Sequence, residues 1–279
     1  MRKIIHVIVV LVLMLSVSPV KAQTDEMAGY WKDVDFSDTS LVSSDVFDVK
    51  VVDFLFTYAA LENGVHFDSL SKVGINTLMG KAKVNMRVYE YLLEYMLNGY
   101  TAMGQSSITE YLLNYPQLTE GEITMEEGAR LDSITEPYQK VKVGAKAPDF
   151  SGKTVDGKSY RLYESNALYV IIVFWATDCE YCHDFLVQMR RHLNLISDFE
   201  LVTFALADNQ EGVYQAIKKM RLPGYHFYDE LRWDGKAYLD YHITSTPTVF
   251  VLDENKTIVC KPYDWKDLKY WLKSNHISY

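Results

Sequence analysis

The chain is 279 residues long, 48% hydrophobic and 14% aromatic, enough length and apolar material for one large or two ordinary domains. Lys plus Arg number 28 against 37 Asp plus Glu, a formal charge of −9 with a pI near 5.3. That balance supplies no general basic field for nucleic acid or anionic lipid, and the 21 tyrosines name no partner.

The first predicted segment, residues 1–22, reads as a signal peptide. Arg2 and Lys3 make a positive start, Val7 to Leu15 is an unbroken apolar run, Pro19 breaks it, and Val20-Lys21-Ala22 offers a cleavage site after Ala22. The run is short for a membrane span, which needs about 20 residues. The expectation is an exported, periplasmic protein, membrane-associated if the signal is uncleaved. No later segment is long and apolar enough to span a membrane. Three cysteines remain, Cys179, Cys182 and Cys260. They are too few for a disulfide-stapled scaffold, and the first two have the spacing of an active pair.

Residues 24–140 form the next predicted unit, a mainly helical N-terminal domain. Phe47, Val51, Phe54, Leu55, Tyr58 and Leu61 follow the i, i+3, i+4 rule of one apolar helix face. Val84, Val88, Tyr91, Leu92, Tyr95 and Met96 repeat it. Ile108, Tyr111, Leu112 and Tyr115 mark a shorter helix stopped by Pro116. Asn63-Gly64, Asn98-Gly99 and Gly104 punctuate the stretch. Its acids read as solvated helix faces and its Tyr and Met as core, with no catalytic motif.

The pattern changes over residues 142–279. Lys153 to Leu162 reads as a hairpin turning at Asp156-Gly157. Leu168 to Trp175 is a continuous β-branched and aromatic run, suited to a central strand buried on both faces. A helix over Cys182 to Ile196 follows, then a strand over Leu201 to Ala207 and a helix over Val213 to Met220 ended by Pro223-Gly224. A short strand over Tyr225 to Tyr228 and a short helix over Lys236 to Tyr241 come next. Strands over Thr248 to Leu252 and Thr257 to Lys261 and a closing helix over Trp265 to Ser274 complete the chain. Alternating strands and helices with a terminal hairpin imply an α/β fold with a mixed sheet covered on both faces.

Cys179-Glu180-Tyr181-Cys182 sits where the buried strand gives way to a helix. A helix N-terminus presents unpaired N–H groups and a partial positive charge, and both stabilise a thiolate. A free Cys titrates near ~8.5, a value such positions lower. Cys179 is therefore the expected nucleophile and Cys182 the resolving thiol.

Phe174-Trp175-Ala176-Thr177-Asp178-Cys179-Glu180-Tyr181-Cys182 resembles the thioredoxin active-site motif. Gly144-Ala145-Lys146-Ala147-Pro148-Asp149-Phe150 resembles the entry segment of TlpA/ResA-like exported thioredoxins. Tyr241-His242-Ile243-Thr244-Ser245-Thr246-Pro247-Thr248-Val249-Phe250 resembles their cis-proline segment. The N-terminal part, with Tyr30-Trp31 and Asp35-Phe36-Ser37-Asp38, is similar to an uncharacterised helical domain that precedes such thioredoxins in Bacteroidetes. The resemblance implies a thioredoxin fold over 142–279 and thiol–disulfide exchange with protein substrates. It further implies a cis Pro247, a groove shaped by Thr246 and Pro247, and Trp175 packed beneath the active-site turn. No organic cofactor is implied beyond a redox-active Cys179–Cys182 disulfide. Reducing equivalents would come from a membrane donor.

The chain departs from thioredoxin in detail. The family's buried acid falls on Val173, Asp178 replaces the Trp before the first cysteine, and Glu180-Tyr181 replaces Gly-Pro. Two carboxylates flanking Cys179 oppose a second negative charge and raise its pKa, which points to a reductant or exchanger rather than a dedicated oxidase. Glu180 reads as a solvated helix-start acid, or as a group that helps deprotonate Cys182. His183 reads as a first-turn residue, or as a thiolate or metal neighbour, and Cys260 as a buried small hydrophobe, or as a third redox thiol. Three rivals stand beside exchange. A metal module, such as a Cu(I) carrier, lacks a second ligand pair. A peroxiredoxin-like peroxidase would want Thr where Ala176 stands. A chaperone-like interaction module would work through the helical domain.

Overall fold

The computed structural model describes residues 29–60, 67–115, 123–193 and 199–277. The expected signal peptide, Asn63-Gly64, Leu61, Pro116 and Ile196 lie outside them. The chain divides into two compact units, Met1–Tyr95 and Met96–Tyr279.

The first unit holds helices α1 (Asp45–Ala60), α2 (Phe67–Ala82) and the first turns of α3 (Met86–Ala102). Phe47, Val51, Phe54 and Leu55 of the predicted stripe are buried. They gather round Trp31, whose ring meets Phe36, Phe47 and Phe54 edge-on at 5.6, 6.1 and 4.9 Å, geometries that aromatic quadrupoles favour. The second stripe needs correction. Val84 is 69% exposed and precedes α3. Asn85 accepts the Arg87 N–H at 3.1 Å and so caps the helix one residue after Val84. The buried face of α3 is also broader than read, taking in Tyr89 and Leu93 beside Val88 and Leu92. Tyr91 and Tyr95 are only half-buried.

The second unit begins with the end of α3 and continues through α4 (Ser106–Leu113) and α5 (Met125–Gln139). In α4, Ile108 and Leu112 are buried as predicted, with Leu113 beside them, and Tyr115 just beyond the helix is buried as well. Helix α5 opens on a capping box between Thr124 and Glu127. A hairpin follows, β1 (Ser151–Lys153) paired antiparallel with β2 (Ser159–Arg161), and Gly157 at φ +85° supplies the left-handed residue of its turn.

The five-stranded sheet has the order β5-β4-β3-β6-β7. Its strands are β3 (Tyr169–Ala176), β4 (Phe199–Leu206), β5 (Tyr225–Tyr228), β6 (Thr248–Leu252) and β7 (Ile258–Cys260). β3, β4 and β5 run parallel, while β6 and β7 are antiparallel. The sheet is mixed, as alternation and a terminal hairpin implied. Helices α6 (Glu180–Leu193), α7 (Gln210–Met220), α8 (Lys236–Asp240) and α9 (Trp265–Ser274) complete the unit. Along β3 the burial alternates by face. Val170, Ile172, Phe174 and Ala176 join one core with Tyr160, Tyr238 and Tyr241. Ile171, Val173 and Trp175 join the other, with residues of α6, α7 and α9. Two covered faces explain why β3 reads as an unbroken apolar run.

Pairing of Ala176 with Leu206 and of Ala205 with Tyr228 brings the carboxyl ends of β3, β4 and β5 to one edge. Phe174 pairs with Thr248, so the start of β6 lies there too. In open α/β sheets that edge is where ligands and chemistry collect.

Candidate active site

Cys179 and Cys182 meet at that edge, bonded as a disulfide with Cα atoms 5.2 Å apart. Helix α6 begins at Glu180, two residues before the start read from sequence, because the Cys179 carbonyl accepts the His183 N–H at 3.1 Å and opens the helix there. Cys182 therefore lies within the first turn. Its N–H donates to Cys179 Sγ at 3.1 Å. A backbone donor aimed at that sulfur, together with the positive helix end, stabilises negative charge on Cys179. The turn is tied down by Cys179 N–H to Ala176 O at 3.2 Å and Thr177 N–H to Leu206 O at 3.0 Å.

The two sulfurs differ in access. Cys182 is fully buried and packs with Val173, Trp175 and Phe185, whereas Cys179 is partly exposed between the two cores. Asp178 and Glu180 are exposed on either side of Cys179, and Tyr181, at 82% exposure, stands out between the cysteines. Trp175 lies beneath the turn, fully buried, its ring edge-on to His183 at 5.8 Å. Val173, in the place of the expected acid, is also fully buried, so no carboxylate reaches the resolving sulfur from β3.

The Thr246–Pro247 peptide bond is cis. Thr246 O lies 4.0 Å from Cys179 Sγ, so the predicted groove residues and the redox pair share one site. Among the described residues the Thr246 N–H donates no hydrogen bond. Both Thr246 and Pro247 are half-buried, and Thr248 Oγ1 donates to Ser245 O at 2.7 Å, fixing the turn into β6.

Cys260 is elsewhere, on β7, partly buried, and unbonded to sulfur. Burial, with Asp267 as a second cause, pushes its thiol up to about 12. Among the described residues no group of three or more His, Cys, Asp or Glu is arranged to hold a metal ion.

Sequence reasoning passed over several residues near the edge. Tyr238 and Tyr241 are almost fully buried and close the core under the turn, Tyr241 donating to Pro148 O at 2.7 Å. His242 adopts a left-handed φ of +49° ahead of the cis-proline segment and packs edge-on to Tyr138 at 4.3 Å. Periodicity carries no trace of these, because each role depends on a distant partner.

Comparison with known proteins agrees with this geometry. Residues 143–261 match the AhpC/TSA family. The thioredoxin-like protein YneN of Bacillus subtilis is 29% identical over 134 residues, 45% of this chain and 76% of that protein. A thioredoxin-like protein from Bacteroides caccae shares the fold at a TM-score of 0.58 and 16% identity, over 93% of this chain and 95% of the other.

Proposed function

We propose, from the match of residues 143–261 to the AhpC/TSA family, that the protein exchanges disulfides with protein substrates through Cys179 and Cys182. The carrying observation is the asymmetry of the pair: an accessible sulfur that accepts a helix N–H, bonded to a buried one. In the reduced protein, Cys179 thiolate attacks one sulfur of a client disulfide and the other client sulfur leaves as thiolate. Cys182, deprotonated, then attacks Cys179 Sγ. The client leaves with both sulfurs reduced, the Cys179–Cys182 disulfide forms, and two electrons have passed to the client. The Thr246 backbone, beside Cys179 Sγ, pairs with the client chain over Pro247. Tyr181 projects toward the same client.

Asp178 and Glu180 disfavour a second negative charge, so the thiolate is less stabilised than in a strong oxidant and the protein acts as a reductant or exchanger. A measured potential near about −120 mV, the oxidising end of the scale, would refute that direction. The working place is the periplasm, reached through the signal in residues 1–22, with a membrane donor returning electrons to Cys179–Cys182. No organic cofactor takes part. Trapping with Cys182→Ser tests the whole reading: a client should remain bonded to Cys179, and no trapped polypeptide under several redox conditions would remove protein substrates. Peroxide consumption exceeding reduction of a protein disulfide would move the peroxidase reading to the front. One feature counts against that reading, since apolar Ala176 ends β3 where a peroxidase would place a hydroxyl.

A further inference from the structure

Away from the cysteine pair, the second unit has a half-open cavity of about 80 Å³ lined by Thr101, Thr109, Glu110, Tyr138, Lys142 and Lys261, among others. Lys261 follows β7 directly. Its ammonium lies 4.9 Å over the Phe250 ring. Among the described residues no carboxylate lies within 4.0 Å of it and it donates no hydrogen bond. Lys261 is half-buried, and burial pushes its pKa down to about 8. A desolvated cation without a counter-charge is costly, and an aromatic face offsets only part of that cost.

The lining is suited to supply what Lys261 lacks. Thr101 and Thr109 both line the cavity, and their hydroxyl oxygens are 3.5 Å apart. The Tyr138 hydroxyl is committed to Asn98 Oδ1 at 2.8 Å, which leaves its ring as an apolar wall. Lys142 and Glu110 are exposed at the mouth. A space of this size has room for several waters or for a small anion.

We propose that this cavity is a binding site for a small carboxylate, its oxygens paired with the Lys261 ammonium and a threonine hydroxyl. The site is separate from the redox pair and does not depend on the exchange reading. It has a physical link to the proline segment, because burial and, second, the Lys261 charge hold His242 below its ordinary pKa. His242 therefore reports on occupancy.

The test is a titration of the full-length protein with sodium acetate and sodium chloride at matched ionic strength, followed by amide and His242 ring resonances. Acetate should shift Thr109 and Thr101 saturably and raise the His242 titration midpoint. Lys261→Met should weaken acetate at least tenfold, and Thr109→Val several-fold, with the remaining spectrum unchanged. Chloride binding as tightly as acetate, unchanged acetate binding in Lys261→Met, or no saturable shift in the parent protein would each overturn the proposal. Should Lys261→Met fail to fold, full acetate affinity in Thr109→Val would do so.

Discussion

The turn after β3 and the end of β7 each carry a cysteine, and the two are treated in opposite ways. At the turn, Cys179 stays partly exposed and its sulfur accepts a helix N–H. At the end of β7, Cys260 and its neighbour Lys261 are half-buried, and burial is the first cause that shifts both of their pKa values. Desolvation penalises whichever form is charged, so it drives the thiol up and the ammonium down, each toward neutrality. The same side chain thus meets a helix N–H donor at one place and a burial that disfavours its charge at the other. What differs is the supply of backbone donors, not the residue.

The largest test of that contrast is to remove each sulfur. Cys179→Ser should lower the rate of disulfide exchange by at least roughly 10³-fold, because the hydroxyl is not ionised at neutral pH. Cys260→Ser should leave it within about twofold. Alkylation of the reduced native protein at pH 8 gives a second view. With a pKa of about 12, Cys260 is thiolate in roughly one molecule in 10⁴, against about a quarter for an ordinary cysteine. Rapid labelling of Cys260 in the folded state would break the comparison.

The next effect is on stability. The folded pKa of Lys261, about 8 against 10.5, means that at pH 7 the native state carries an unfavourable charge worth at most about 3 kcal/mol. Between pH 8 and 10.5 the unfolded chain binds the extra proton, so stability rises with pH through that window. Lys261→Met should therefore stabilise the protein in urea melts at pH 7, and the gain should fade by about pH 10.5. A variant less stable at pH 7 would show that the ammonium has a partner.

A smaller pH effect comes from His226. It is buried, with Nδ1 2.9 Å from Thr203 Oγ1 and Nε2 3.4 Å from Leu222 O. Burial holds its pKa below 6.5. Its contribution is intact above pH 6.5 and is lost as pH falls below it, where the unfolded chain takes up the proton first. The acid limb of the melting curve should begin there and be shallower in His226→Gln.

The smallest change is electrostatic tuning at the turn. Asp178→Asn and Glu180→Gln should each lower the Cys179 thiol pKa by a few tenths of a unit, since both carboxylates are exposed and screened. Absorbance of the thiolate against pH measures this. A rise in pKa would reverse the reading of redox direction.

Much of the site was legible in local order. The run Leu168 to Trp175 declared a strand buried on two faces, and Val173 and Trp175 do fall on the opposite face from Phe174. The cysteine spacing after that strand placed the pair at a helix N-terminus, although the helix opens two residues earlier than read because its first hydrogen bond comes from the Cys179 carbonyl. Val84 misled because it continues an apolar rhythm across a boundary that only the Asn85 cap marks. Among buried groups, Lys256 was illegible: it is 4% exposed, its Nζ donating to Ser165 O and Glu254 O, and nothing in its neighbours announces the Ser165 partner, 91 residues away.

By itself, then, the sequence determined the strand–turn–helix that carries Cys179 and Cys182 and the alternation that makes the mixed sheet. Those follow from interactions within a few residues, where side-chain period and hydrogen-bond geometry act directly. Only the tertiary structure decided which sulfur is partly exposed, that Thr246 O stands 4.0 Å from Cys179 Sγ, and that Cys260 and Lys261 are half-buried. Access, apposition and desolvation depend on what distant segments bring alongside, and that is a property of packing.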